Sequence, residues 1–170
     1  TSIFSTLLLV TFISVFGSMI GLICGWFENT IDVILMRIAD MFLAFPGLVF
    51  ALAVAAVLGG GLQNAIIALA AISWPKYARL ARSQTLTQKK ATYIKAARLA
   101  GDSDWKLIVR HILPNIMGPI LVTAVLDIGT MMMELAGLSF LGLGAKPPIA
   151  EWGSMMSETR NLLTTQPWVT

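Results

Sequence analysis

The chain has 170 residues, 56% of them hydrophobic and only 12% charged, with a mean hydropathy of +0.79. A soluble domain carries about 25% charged residues, so these proportions exclude a water-soluble globule and define a membrane protein. Nine of the twelve Lys and Arg lie in residues 76–110 against only Asp102 and Asp104, giving +7 there and −4 elsewhere; the net charge of +3 is one basic loop and not a nucleic-acid face.

No shift in composition divides the halves, so a single all-α domain, a polytopic bundle of about four spanning helices, is expected. The lone cysteine, Cys24, sits in an apolar run, which excludes an internal disulfide and a cysteine metal cluster. Residues 3–25 are 23 residues without a charge, enough for a helix that needs about 20 to cross a bilayer. They lack the basic leader of a signal peptide and exceed its apolar core of about 7 to 15 residues. Gly17, Gly21 and Gly25 recur every four residues and predict a face for close helix packing. Glu28, Asp32, Arg37 and Asp40 read as a short polar connection, followed by a second crossing over 41–58 with a kink at Pro46. Gly59, Gly60 and Gly61 predict a turn; no Gly-Lys-Ser/Thr follows, so a phosphate-binding loop is excluded and no cofactor is expected.

The third apolar run, 65–75, is short, and reaches bilayer length only by starting near Leu62 and continuing through Tyr77 and Ala81 with Lys76, Arg79 and Arg82 snorkelling to the interface. Residues 83–92 are polar and lead into the long polar interval, 93–119. There 93–100 predicts a helix, Gly101 a left-handed stop, and Asp102 or Ser103 the cap of a second helix from Asp104. On that second helix Trp105, Ile108, Val109 and Ile112 predict an apolar face, and Lys106 and Arg110 a basic one. Retention of Lys and Arg in short loops puts the 83–111 loop in the cytoplasm; counting crossings puts the Gly59 loop and the segment after Ala145 outside.

A fourth span begins at Ile112 and runs towards Ala145, where Pro147 and Pro148 read as its end. It carries Asp127 and Glu134, two turns apart on one face, with Met131, Met132 and Met133 between them. An Asp in lipid costs about 2.5 to 3.5 kcal/mol on insertion scales, so the pair must face a bundle interior or water. The carboxylates read either as part of a translocation path with Met131 or as structural groups paired with a partner helix, and the methionines as packing or as soft ligands. His111, the only histidine, reads as a capping or interfacial group. Trp152 and Trp168 read as anchors at an outer interface.

The spacing Lys95-Ala96-Ala97-x-x-x-Gly101, then nine residues and an apolar step to Leu113-Pro114, resembles the E-A-A-x-x-x-G motif of ABC importer permeases; Lys95 stands where the general motif is acidic, and His111 where it is aliphatic. The phrases MRIADMFLAFP (36–46), WPKYARLARS (74–83), RHILPN (110–115) and LSFLGLGAKPP (138–148) resemble the subfamily serving dipeptides, oligopeptides and nickel, with LDIGTMMME (126–134) and AEWGSMM (150–156) leaning toward nickel-type members. The resemblance implies a non-enzymatic permease subunit of the inner membrane, present here as a fragment with the middle four of six crossings. It also implies a second permease subunit, two cytoplasmic ATPase subunits or domains and an extracytoplasmic substrate-binding protein as partners. On this reading Tyr93, Lys95, Ala96, Ala97, Leu99, Gly101, Asp104, Trp105, Leu113 and Pro114 form the ATPase-coupling surface.

Two other classes compete with it. An intramembrane enzyme lacks support, because neither Gly-x-Ser-x-Gly nor His-Glu-x-x-His occurs and there is no second histidine. An ion-coupled secondary transporter would use Asp127 and Glu134, but leaves the two-helix loop without a purpose and has no internal repeat to support it.

Overall fold

The computed structural model describes residues 2–146 and 148–160, and every regular element among them is helical. In chain order these are α1 (Ser2–Phe27), α2 (Thr30–Leu43), α3 (Gly47–Val57), α4 (Leu62–Lys89), α5 (Thr92–Leu99), the single turn α6 (Asp104–Lys106), a π-helical turn (Leu107–Ile112), α7 (Leu113–Phe140) and α8 (Trp152–Thr159). The all-helical expectation is met. Trp168 and Pro147 lie outside the described residues.

Among the described residues, two or three candidate spans pass on length and apolarity, against the about four expected. Two helices have both the length and the apolarity to span a membrane, α1 and the continuous helix Asp104–Phe140; α2 with α3 makes a third if the broken pair is one span. The 28 residues of α4 suffice in length, about 1.5 Å each. That helix nevertheless carries Lys76, Arg79, Arg82 and Lys89, and so lacks the apolarity.

Three boundaries also move. Asp32, Arg37 and Asp40 belong to α2 and not to a loop, because Asn29 caps the helix by accepting from the Asp32 backbone N–H, 3.3 Å away. The helix stops ahead of Pro46, whose φ of −61° and extended ψ start α3 afresh, so proline breaks this segment where a kink was expected. The last span ends at Phe140, before the prolines: Gly142 turns left-handed at φ 81°, its N–H donates to the Ser139 carbonyl and that of Leu143 to the Leu138 carbonyl.

The described residues form two compact units. One comprises 2–11, 45–72 and the described part of 126–170. Its core is made of Leu9, Ala51, Ala55, Ala65, Ala68, Leu69, Leu135 and Leu138, all essentially inaccessible. Gly59, Gly60 and Gly61, with φ of 86°, 72° and 99°, make the expected turn, and the Asn64 amide closes it by donating to the carbonyls of Leu58 and Gly60, both at 2.7 Å.

The other unit comprises 12–44 and 73–125. Here the glycine stripe of α1 lies directly on α4. A Cβ at Gly17 would stand 2.8 Å from the Tyr77 Cβ, one at Gly25 2.8 Å from the Thr85 Cβ, and one at Gly21 inside the Ala78 carbonyl. Backbones approach this closely only where side chains are missing, which is the packing face the four-residue spacing predicts. Phe16 and Phe42 each meet the Trp74 ring edge-on, at 6.2 and 6.3 Å.

Candidate functional site

The interval 83–111 is not a free loop between two spans. Residues 83–89 continue α4, and the helix that starts at Asp104 never stops before α7, passing through the π-turn. Pro114 supplies the physical cause. An α-helical ladder there would drive its ring into the Arg110 carbonyl, and it has no N–H to offer. A turn widened by one residue relieves this, with the Leu113 N–H reaching back to the Ile108 carbonyl and the Asn115 amide donating to the His111 carbonyl at 2.6 Å.

The extra residue resets the face of the helix. Leu107, Ile112, Ile116 and Ile120 are buried, at intervals of five, four and four, together with Ile108. Of the expected apolar face, Ile108 and Ile112 are buried while Trp105 and Val109 are exposed, Trp105 by 74%.

Between α5 and this helix stands an elbow. The Gly101 N–H donates to the Arg98 carbonyl and the Asp102 N–H to the Ala97 carbonyl, the paired bonds of a Schellman stop, with Gly101 at φ 95°. Asp102 then holds the next turn: Lys106 donates to one of its oxygens, and His111 Nε2 lies 3.2 Å from the other. Those contacts, Lys106 before His111, keep the Asp102 carboxyl below its usual range. Ser103 occupies the cap position but its side chain makes no capping bond. Arg98 pairs with Asp104 at 2.8 Å. The Tyr93 hydroxyl donates to Gln88 at 2.7 Å and accepts from Asn115 at 3.3 Å, tying α5 to the root of α7.

The predicted coupling residues distribute unequally over this elbow. Ile94 is buried and fixes the inner face of α5, whereas Lys95, Ala96 and Leu99 point outward, Leu99 with 90% exposure. Ala97 is half-buried, and Leu113 and Pro114 are exposed within the continuous helix. Tyr93, Gly101 and Asp104 shape the elbow.

Sequence reasoning missed what fastens it. Trp26, 3% exposed, lies under two cations, Lys89 Nζ at 5.5 Å and Arg98 Cζ at 5.2 Å from its ring. Lys89 also donates to the Trp26 carbonyl at 2.5 Å and to Glu28 at 2.7 Å, which holds the Glu28 carboxyl down. Glu28 itself is left-handed, at φ 46°. Beyond it the Asp32 carboxylate, 3% exposed, accepts two bonds from Arg82 at 2.6 Å each. Opposite charges scattered through apolar sequence were the available signal, but nothing in one sequence pairs residue 32 with residue 82.

The second predicted cluster belongs to the first unit. Asp127 and Met131 are buried on one face of α7 with Leu135 and Leu138, while Glu134 is only half-buried. Each of the three side chains has interactions within the protein. The face expected from the seven-residue spacing is therefore buried at its Asp127 end. Glu151, not singled out from sequence, is 1% exposed and caps α8, accepting from the Ser154 N–H at 3.1 Å and the Ser2 hydroxyl at 3.4 Å. No group of three potential metal ligands occurs among the described residues.

Long apolar helices and a basic, internally latched elbow define a helical membrane protein. Comparison with known proteins makes the class specific. Residues 17–167 match the family described as binding-protein-dependent transport system inner membrane component. The chain is 43% identical over 159 residues to a dipeptide transport system permease protein of Alkalihalophilus pseudofirmus, covering 94% of this chain and 52% of that one. It is 45% identical over 153 residues to a glutathione transport system permease protein of Pectobacterium atrosepticum, covering 90% and 51%. It is also 44% identical over 167 residues to a probable D,D-dipeptide transport system permease protein of Escherichia coli, covering 98% and 56%. The chain belongs to the family of binding-protein-dependent transport inner membrane components, and spans about half the length of the curated relatives it matches.

Proposed function

We propose that this chain forms the helical core of an importer permease that passes small peptides across the inner membrane, with ATP hydrolysed by separate cytoplasmic ATPase subunits. A second permease subunit and an extracytoplasmic binding protein complete the assembly. The observation that carries the reading is the elbow. Its outer face is bare, its inner side is latched by Asp102 and Asp104, and its second limb is one piece with the spanning helix Asp104–Phe140. A push on α5 is thereby delivered to α7 without a flexible joint, the kind of rigid-element shift by which such switches work. On this reading 83–111 faces the cytoplasm and the residues Tyr93 to Trp105 meet the ATPase.

The named relatives favour peptides as cargo over the nickel suggested by residues 126–134 and 150–156. Asp127, Met131 and Glu134 are assigned to the path side of α7, where Asp127→Asn and Glu134→Gln would slow uptake without loss of assembly. Uptake of labelled dipeptide against labelled nickel by cells carrying only the intact permease separates the cargoes.

Gly101→Val tests the elbow. Space is open around Gly101, so the substitution acts through its positive φ, at about 1–2 kcal/mol of strain. ATP turnover is expected to continue in the assembled complex but to lose its response to loaded binding protein, with uptake falling in step. Retained response and uptake would remove the coupling role.

A further inference from the structure

The acidic groups of the elbow are all matched internally, whereas Lys90, Lys95 and Arg110 make no ion pair among the described residues. Glu28 takes Lys89, Asp104 takes Arg98, and Asp102 takes Lys106 and His111. Lys95 is outside this arrangement: it is exposed and makes no ion pair among the described residues. It sits one turn before Leu99 on the same side of α5, off the face that buries Ile94. Between them Ala96 offers no bulk, so a partner surface can come close to the helix there. Any surface that covers the fully presented Leu99 also strips water from Lys95, and an ammonium buried without a counter-charge opposes docking.

We infer that the partner groove which receives α5 carries an apolar floor for Leu99 and an acidic side chain, Asp or Glu, placed to pair with Lys95. This rests on the docking role proposed above and adds the chemistry of the partner. Anionic lipid would also neutralise Lys95, but a fluid headgroup layer needs no preset shape, whereas the elbow is fixed by the Schellman stop and two carboxylate latches. The fixed shape favours a protein groove.

The test uses the full transporter in vesicles, reading assembly, ATP turnover stimulated by loaded binding protein, and uptake. Lys95→Glu should lower stimulated turnover by about tenfold, as like charges meeting across an interface do. A single Asp→Lys or Glu→Lys exchange in the ATPase groove should restore most of it. If Lys95→Glu behaves as wild type while Leu99→Asp abolishes stimulation, docking stands and the acidic partner is wrong. If no exchange in the ATPase rescues Lys95→Glu, the inference also falls. Should wild type lose stimulation in zwitterionic phosphatidylcholine vesicles, with the Lys95→Glu defect present only when phosphatidylglycerol is added, the counter-charge is lipid and the inference is overturned. Wild-type behaviour of both variants would instead remove the docking role itself.

Discussion

Where α1 lies on α4, glycine backbones touch a neighbouring helix, and close by in the chain the α2 carboxylate of Asp32, paired with Arg82 of α4, is sunk to 3% exposure. Where α5 turns into the helix of α7, the contacts are ion pairs at the surface, and the large apolar side chains Leu99 and Trp105 stand in the open. Both regions belong to the same compact unit. The first derives its stability from close packing with no room for change; the second keeps its shape by polar contacts and leaves its apolar surface unspent. A seam of that kind suits an anchor, and an elbow of this kind suits a surface that has yet to meet its partner.

The contrast breaks first at Arg82. Arg82→Ala strands a buried carboxylate and should cost about 3 kcal/mol, the lower end for a severed buried pair because the guanidinium is partly solvated. Thermal unfolding of the purified permease reads the loss, and Asp32→Leu with Arg82→Leu should recover most of it. Recovery would mean that charge was buried there for specificity and not for strength.

Gly21→Ala comes next, at about 2 kcal/mol, since its Cβ would fall inside the Ala78 carbonyl and the helices must part. Gly129→Ala, where no atom lies within 4 Å, should be neutral or stabilising by about 0.5–1 kcal/mol. Equal effects at the two glycines would show that the α1–α4 approach is looser than described.

The smallest effect concerns acid. Asp102 has its carboxyl depressed by Lys106 and His111, so its contribution is present above the ordinary carboxylate range, about pH 4, and is lost only as pH falls through the depressed value. Amide exchange at 101–107 should therefore be flat from neutrality down to that range and rise below it, and Asp102→Asn should show the raised exchange at all pH values. A rise well above the carboxylate range would instead show that the latch does not depend on the Asp102 carboxylate.

Much of this was legible in one sequence. Glycine spacing gave the α1 packing face, Gly101 the stop and the Gly59 triplet the turn, because each depends on local backbone chemistry. The family resemblance, carried by 93–119 and the phrases flanking it, is borne out by the match over 17–167. What failed was non-local or counter-periodic. The carboxylates of α2 looked like a loop because their partners, Arg82 and Arg79, are tens of residues away. The apolar face of the second elbow helix divides, with Ile108 and Ile112 buried and Trp105 and Val109 exposed, because the π-turn that no sequence period announces falls within it. Trp26 was not singled out, because the cations over its ring, Lys89 and Arg98, are more than sixty residues away in the chain.

The π-turn at Leu107–Ile112 leaves one more consequence. Successive residues of an α-helix are rotated by about 100°, so one surplus residue sets the azimuth of everything on one side of it against everything on the other. The heading of the elbow about the α7 axis is thus fixed by a residue count. A one-residue deletion at Val109 would restore a regular helix and turn Lys95, Leu99 and Trp105 away together, all intact and all aimed at the wrong quarter.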